Sequence, residues 1–284
     1  MIVLAGIVIV LGGVIGGYMM HGGHLEILVQ PTELIIIGGA ALGALLISNP
    51  MSVVKGVGRG VMKSFKANTL TPKAYEELLS VIHDLFVVAR REGLVALEAH
   101  FEKPKESAVF KKAPSLLASH HALDFLCDTL RTITSGNVES YELEDLMDRD
   151  LDTLHQHEMR IPSALTALGD ALPGLGIVAA VLGIVITMGH IDQPPAVIGH
   201  SVAAALVGTF LGILMCYGFV GPLAKAVENQ INAEGRYLGA MKAALLTLAK
   251  GPNPALAVEY ARRNIAPDER PSFLAVEKLL KKAA

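Results

Sequence analysis

Charge is scarce in this sequence, and its distribution says more than its amount. Asp, Glu, Lys and Arg together make up 18% of 284 residues. None occurs in Ala171–Gly189 or in Ser201–Ala224. As helices, both stretches are long enough to cross a bilayer core of about 30 Å at about 1.5 Å per residue. Lysine and arginine are also missing from two short segments, His21–Glu33 and His190–His200, which carry Glu26, Glu33 and Asp192 instead. Cysteine is nearly absent. Cys127 lies in a polar segment and Cys216 in an apolar one, which excludes a disulfide framework. No His/Cys set has zinc-ligand spacing. His155 and His157 stand two apart on a helical pattern, point in different directions and read as solvated surface. There is no glycine-rich phosphate loop and no nucleophile elbow, so nothing supports an enzyme or a bound cofactor. A net charge of −3 argues against a nucleic-acid partner.

What is present is apolar. Hydrophobic residues reach 52%, and the mean hydropathy is +0.48. Four spans are predicted: Ile2–Met20, Leu34 to about Val54, Ala171–Gly189 and Ser201–Ala224. The first has no basic segment before it and no small-residue cleavage site after it, so it reads as a retained helix rather than a signal peptide. All 24 lysines and arginines fall in 55–160 or 225–282. The positive-inside rule then puts both large polar regions in the cytoplasm. The expected organisation is all-α: a membrane hairpin at 1–54, a helical cytoplasmic region at 55–160, a second membrane hairpin at 161–224 and a helical tail at 225–284.

Small residues are arranged in stripes. Pro173, Gly176, Ala180, Gly183 and Thr187 recur at steps of three and four, and so share one helix face. Ser201, Ala205, Gly208, Thr209 and Gly212 form a similar face on the fourth span. Gly12, Gly13, Gly16 and Gly17 do so on the first, and Gly38, Gly39 and Gly43 cluster on the second. Such stripes let helix backbones approach closely where water supplies no hydrophobic drive.

In the polar regions, Thr71-Pro72 reads as a helix start. Leu78, Leu79, Ile82, Leu85, Phe86 and Ala89 trace one amphipathic face. Leu116, Leu117, Leu123, Leu126, Leu130 and Ile133 trace another, and Leu143, Leu146, Met147, Leu151 and Leu154 a third. The last membrane helix is expected to run on to about Ala249, where Gly251-Pro252-Asn253-Pro254 breaks it. Two short helices, separated near Pro267–Pro271, complete the tail.

The spans offer an ion little to bind. Their candidate carboxylate is Asp170, just outside the third span, where helix capping is its expected job. Mid-membrane there are only the hydroxyls of Thr187 and Thr209. Ion conduction therefore calls for a titrating group from a partner. Pro173 and Pro222 admit two readings: a helix start and an exit kink, or hinges in moving helices. An ideal 100° step places Pro222 near the Gly208 face.

Several stretches taken together are specific. They are Gly16-Gly17-Tyr18, Gln30-Pro31-Thr32-Glu33-Leu34, Ser135-Gly136, Leu172 through Ala180 (LPGLGIVAA), Val207 through Leu214 (VGTFLGIL) and Glu269-Arg270-Pro271-Ser272-Phe273. With four spans and a large loop between the second and third, they resemble the MotA family of flagellar motor stator subunits over essentially the whole chain. The resemblance implies an inner-membrane homopentamer around a dimer of MotB-like stator subunits, each supplying a membrane helix with an ion-binding aspartate. It implies that Arg90 and Glu98 contact the C-terminal domain of the rotor protein FliG, with a minor rotor-facing role for Asp150, where some relatives carry glutamate. It places Pro173 and Pro222 in coupling and Thr209 beside the ion path. Sodium-driven relatives tend to have threonine at the position of Ala180. A methyl offers no oxygen to a hard cation, so the expected ion is H+. The alternatives are an ExbB/TolQ-type proton-driven energiser, usually of three spans, and a passive membrane scaffold.

Overall fold

In the computed structural model, residues 2–66, 70–136 and 138–283 are described. The helices run in order α1 (Ile2–Met20), α2 (Leu25–Leu28), α3 (Pro31–Ser48), α4 (Met51–Ser64), α5 (Pro72–Glu92), α6 (Glu98–Phe101), α7 (Pro114–Ala118), α8 (His120–Ser135), α9 (Ser140–Met188), α10 (Pro195–Leu214), α11 (Gly221–Leu248), α12 (Pro254–Asn264) and α13 (Phe273–Ala283). No strand occurs among the described residues. Among the described residues four helical stretches are long and apolar enough to cross a membrane: Ile2–Met20, Leu25–Ser48 and parts of Ser140–Met188 and Pro195–Leu248. The chain divides into two compact units, one of residues 1–67 and 158–230, the other of residues 68–157 and 231–284.

The first unit contains the spans. α1 buries none of its residues. α3 starts on Pro31 and buries Glu33, Ile37, Ala41 and Leu45, a stripe with a step of four. The second span is shorter than its apolar run suggests. Asn49 is extended (φ −134°, ψ 145°) because Pro50 disfavours helical backbone in the residue before it, and a new helix opens at Met51. That helix, α4, sets Gly56 and Gly60 against Ile161, where an added Cβ would lie 2.9 and 3.3 Å from the isoleucine side chain.

The second unit is a conventional core. The α5 face named above is buried throughout, together with Tyr75, Leu97, Phe110, Leu126 and Tyr237. α5 packs against α7, α12 and α13. The Tyr75 and Tyr237 rings meet at 5.4 Å between centroids. Burial pushes the Tyr75 phenol up to about 12, with the Glu269 carboxylate beside it adding to the effect. The single expected helix around Leu116–Ile133 is two: Ser119 separates α7 from α8 and accepts a hydrogen bond from the Ala122 N–H at 3.4 Å. α11 ends at Leu248, and Gly251 takes φ +119°, backbone that only glycine adopts without strain. On α12, Arg262 and then Arg263 hold the Glu259 carboxyl down to about 2 through bonds of 2.5 to 2.9 Å.

Candidate functional site

The stripes of the third and fourth spans are the two faces of one seam. An added Cβ on Gly176 would meet the Gly208 carbonyl oxygen at 2.7 Å and the Thr209 Cα at 3.3 Å. On Gly212 it would meet the Leu172 carbonyl oxygen at 2.5 Å, and on Gly183 the Ala205 Cβ at 2.8 Å. α9 and α10 are thus in backbone contact, which small residues alone permit. The large side chains Ile177, Val178, Val181 and Val185 point outward and are exposed. Ala180 is buried against this seam, its backbone N 3.2 Å from the Cβ position of Gly208, and Thr209 is half-buried beside it. The Thr187 hydroxyl is spent locally, donating to the Gly183 carbonyl at 2.8 Å. The glycines of α1, and Gly38, Gly39 and Gly43 of α3, have nothing within 4 Å of an added Cβ.

The structure departs from the sequence reading at three points in this unit. Pro173 does not open a span; it sits half-buried inside the 49-residue α9, which also contains the buried Pro162. Asp170 likewise lies in the helix interior, exposed, and so has no helix end to cap. Between α10 and α11 a π turn occupies Met215–Val220, in which the Gly221 N–H bonds back five residues to the Cys216 carbonyl. Pro222 lacks an N–H, and the widened turn just ahead of it absorbs the broken hydrogen-bond register. The turn also changes the helical phase, so the 100° count from Gly208 does not carry across it. Pro222 is exposed.

Arg90 and Glu98 flank a tight connection in the second unit. Arg90 is in the last turn of α5, Gly93 takes φ +89°, a 3-10 turn spans Leu94–Leu97, and Glu98 opens α6. Leu97 is fully buried and pins the turn, while Arg90 and Glu98 are exposed and form no ion pair among the described residues. Asp150 is exposed on α9, where the neighbouring Asp148 is tied to Lys242. Cys127 and Cys216 are both buried and free, and burial pushes the Cys127 thiol up to about 11, so it has little thiolate character.

Sequence reasoning missed Glu33. A charge beside an apolar run suggests a connecting segment, yet Glu33 stands in the first turn of α3, is 7% exposed, and its Oε2 has no hydrogen-bond partner. The four-residue step from Glu33 through Ile37 and Ala41 to Leu45 was the available signal.

Family models match along most of the chain: Motility protein A N-terminal at residues 4–93, and the MotA/TolQ/ExbB proton channel family at residues 117–238. Motility protein A of Salmonella typhimurium is 41% identical over 98% of this chain and 94% of its own. Chemotaxis protein LafT of Vibrio parahaemolyticus is 38% identical over 97% and 96%. The flagellar MotAB stator complex from Bacillus subtilis superposes with a TM-score of 0.77 at 25% identity, covering 95% of this chain and 98% of that one. The chain belongs to the motility protein A family.

Proposed function

We propose that this inner-membrane flagellar stator protein carries protons along the α9–α10 seam together with a membrane helix of a MotB-like partner, and passes the resulting motion to the rotor through Arg90 and Glu98. One observation carries this reading. Neither 171–188 nor 195–224 contains a charged residue, so the two helices of the seam supply no titrating carboxylate themselves, and the reading assigns one to the MotB-like helix. The similarity to a MotAB stator complex supports a MotB-like protein as its source. The glycines of α1 and α3, which among the described residues have nothing within 4 Å of an added Cβ, suit close packing against further membrane helices. They favour a homopentamer around a MotB-like dimer. The lysine and arginine distribution supports a cytoplasmic position for both polar regions. There, exposed and without an ion pair among the described residues, Arg90 and Glu98 suit a rotor surface of complementary sign on the C-terminal domain of FliG, with Asp150 in a lesser role. Such contacts are individually weak, about 0–1 kcal/mol each, which allows repeated making and breaking. Pro173 and Pro222 act in coupling; Ala180 and Thr209 line the path, and the Ala180 methyl excludes an oxygen ligand for sodium at that point.

The test is reconstitution. Liposomes containing this chain alone should pass no protons, and liposomes containing it with the MotB-like partner should pass them without sodium. Flux through the chain alone would overturn the reading. So would a flux that stops when sodium is withdrawn at constant proton-motive force. In cells, Arg90→Glu should stop rotation with the complex intact, and a charge reversal on FliG should restore part of it.

A further inference from the structure

Glu33 stands third in α3, the position where the glutamate of a capping box turns back to the N-cap N–H. It does not do so. Its Oε2 makes no hydrogen bond among the described residues and lies 2.5 Å from where a Cβ on Gly208 would be. A Cβ at that same place would be 3.2 Å from both the Ala179 Cβ and the Ala180 N. α3 therefore delivers an acceptor oxygen into the middle of the α9–α10 seam, beside Ala180 and against the glycine that precedes Thr209. The glycine is what makes room for it.

Nothing nearby offsets a charge on this oxygen. The titratable residue of α10 is exposed His200, α2 carries exposed Glu26, and α9 has no titratable residue from 171 to 188. The basic residues Lys55, Arg59 and Lys63 of α4 follow the opposite end of α3, an 18-residue helix about 27 Å long. A carboxyl oxygen held away from water and from every donor is costly to retain for packing alone. What it provides is a place for a proton.

We infer that Glu33 is a proton-exchange site belonging to this chain, in the middle of the α9–α10 seam, which hands protons to the carboxylate of the MotB-like helix. The step is balanced: one O–H bond forms at Oε2 as a proton arrives and the same bond breaks as it leaves, with no oxidation and no other bond change. This rests on the proposed function above.

The test uses the complex with the MotB-like partner in liposomes under an imposed membrane potential. Glu33→Gln keeps the shape and cannot titrate; proton flux should fall about tenfold or more while the yield of complex is unchanged. Glu33→Asp should retain part of the flux. An infrared difference spectrum across a pH step should show a protonated-carboxyl band in the unsubstituted complex that Glu33→Gln lacks, a signature packing alone would not move. Glu33→Gln flux equal to the unsubstituted complex, or an unchanged spectrum, overturns the inference and leaves the proposed function standing. Loss of the complex in both variants makes Glu33 a packing residue and overturns it too. A complex that passes no protons with Glu33 in place brings down the proposed function itself.

Discussion

The two compact units hold their helices together by opposite means. In residues 68–157 and 231–284 the largest side chains are inside: Tyr75, Phe86, Phe110 and Tyr237 are 0–1% exposed, and small residues fill the gaps between them. At the α9–α10 seam of the other unit Ala179, Ala180, Ala205, Gly208 and Gly212 are inside, and Ile177, Val178, Val181 and Val185 face out. Water explains the first arrangement, because burying apolar area gains about 25 cal/mol per Å² there. Within lipid that gain vanishes between helices, since the tails are as apolar as valine, and close backbone contact with its dispersion and weak polar terms takes over.

The first unit should suffer most from a small side chain in the wrong place. Gly212→Val puts a Cβ 2.5 Å from the Leu172 carbonyl oxygen and 3.0 Å from the Gly176 Cα, both backbone atoms that cannot step aside. We expect loss of the folded membrane unit, read as absence of full-length protein from the membrane fraction. Gly12→Val, with nothing within 4 Å of its Cβ, should leave the single chain folded and inserted. The second unit should respond the other way round, to loss of bulk. Leu126→Ala removes a fully buried side chain and should destabilise by about 2–5 kcal/mol, measured by urea unfolding followed by circular dichroism.

Much of this was legible in the sequence. The stripes on 173–187 and 201–212 predicted close backbone packing without naming its partner, and the amphipathic faces of α5 and α8 are the buried ones, because periodicity reports burial directly. What sequence could not show was continuity and phase. Pro173 looked like punctuation because proline usually is, yet α9 runs straight through it, and Asp170 lost its expected cap for the same reason. The π turn at Met215–Val220 has no compositional signature, so the angle assigned to Pro222 failed. Glu33 was misplaced because a charge beside an apolar run reads as its boundary, and only three-dimensional packing reveals that α10 covers it.

A smaller effect separates motion from stability in the first unit. Pro222→Leu restores a backbone donor beside the π turn, so a regular helix becomes available there. The protein level and its complex with the MotB-like partner should stay normal, while rotation of tethered cells falls to little or none. Loss of the complex along with rotation would reduce Pro222 to a structural kink, and normal rotation would remove it from the coupling path.

Electrostatics should contribute least, through an ion pair that the second unit has to lose. Glu259 is bonded by Arg262 and Arg263 within one helix, and its carboxyl sits at about 2 against an ordinary 4.5. A carboxyl lowered in the folded state stabilises fully above its unfolded value, so the contribution is complete above about pH 4.5. It declines as the pH falls and is gone once the folded group protonates near 2. Arg263 is largely exposed and screened by solvent, which limits the whole contribution to about 1 kcal/mol. Glu259→Gln should therefore lower the urea midpoint slightly at pH 7, with the gap from the unsubstituted protein shrinking steadily between pH 4.5 and 2. The same gap should narrow with added salt at pH 7, because a partly exposed pair is screened. A difference that does not change with pH would mean that Glu259 acts through packing on α12, and that the second unit, like the first, owes its stability to contact alone.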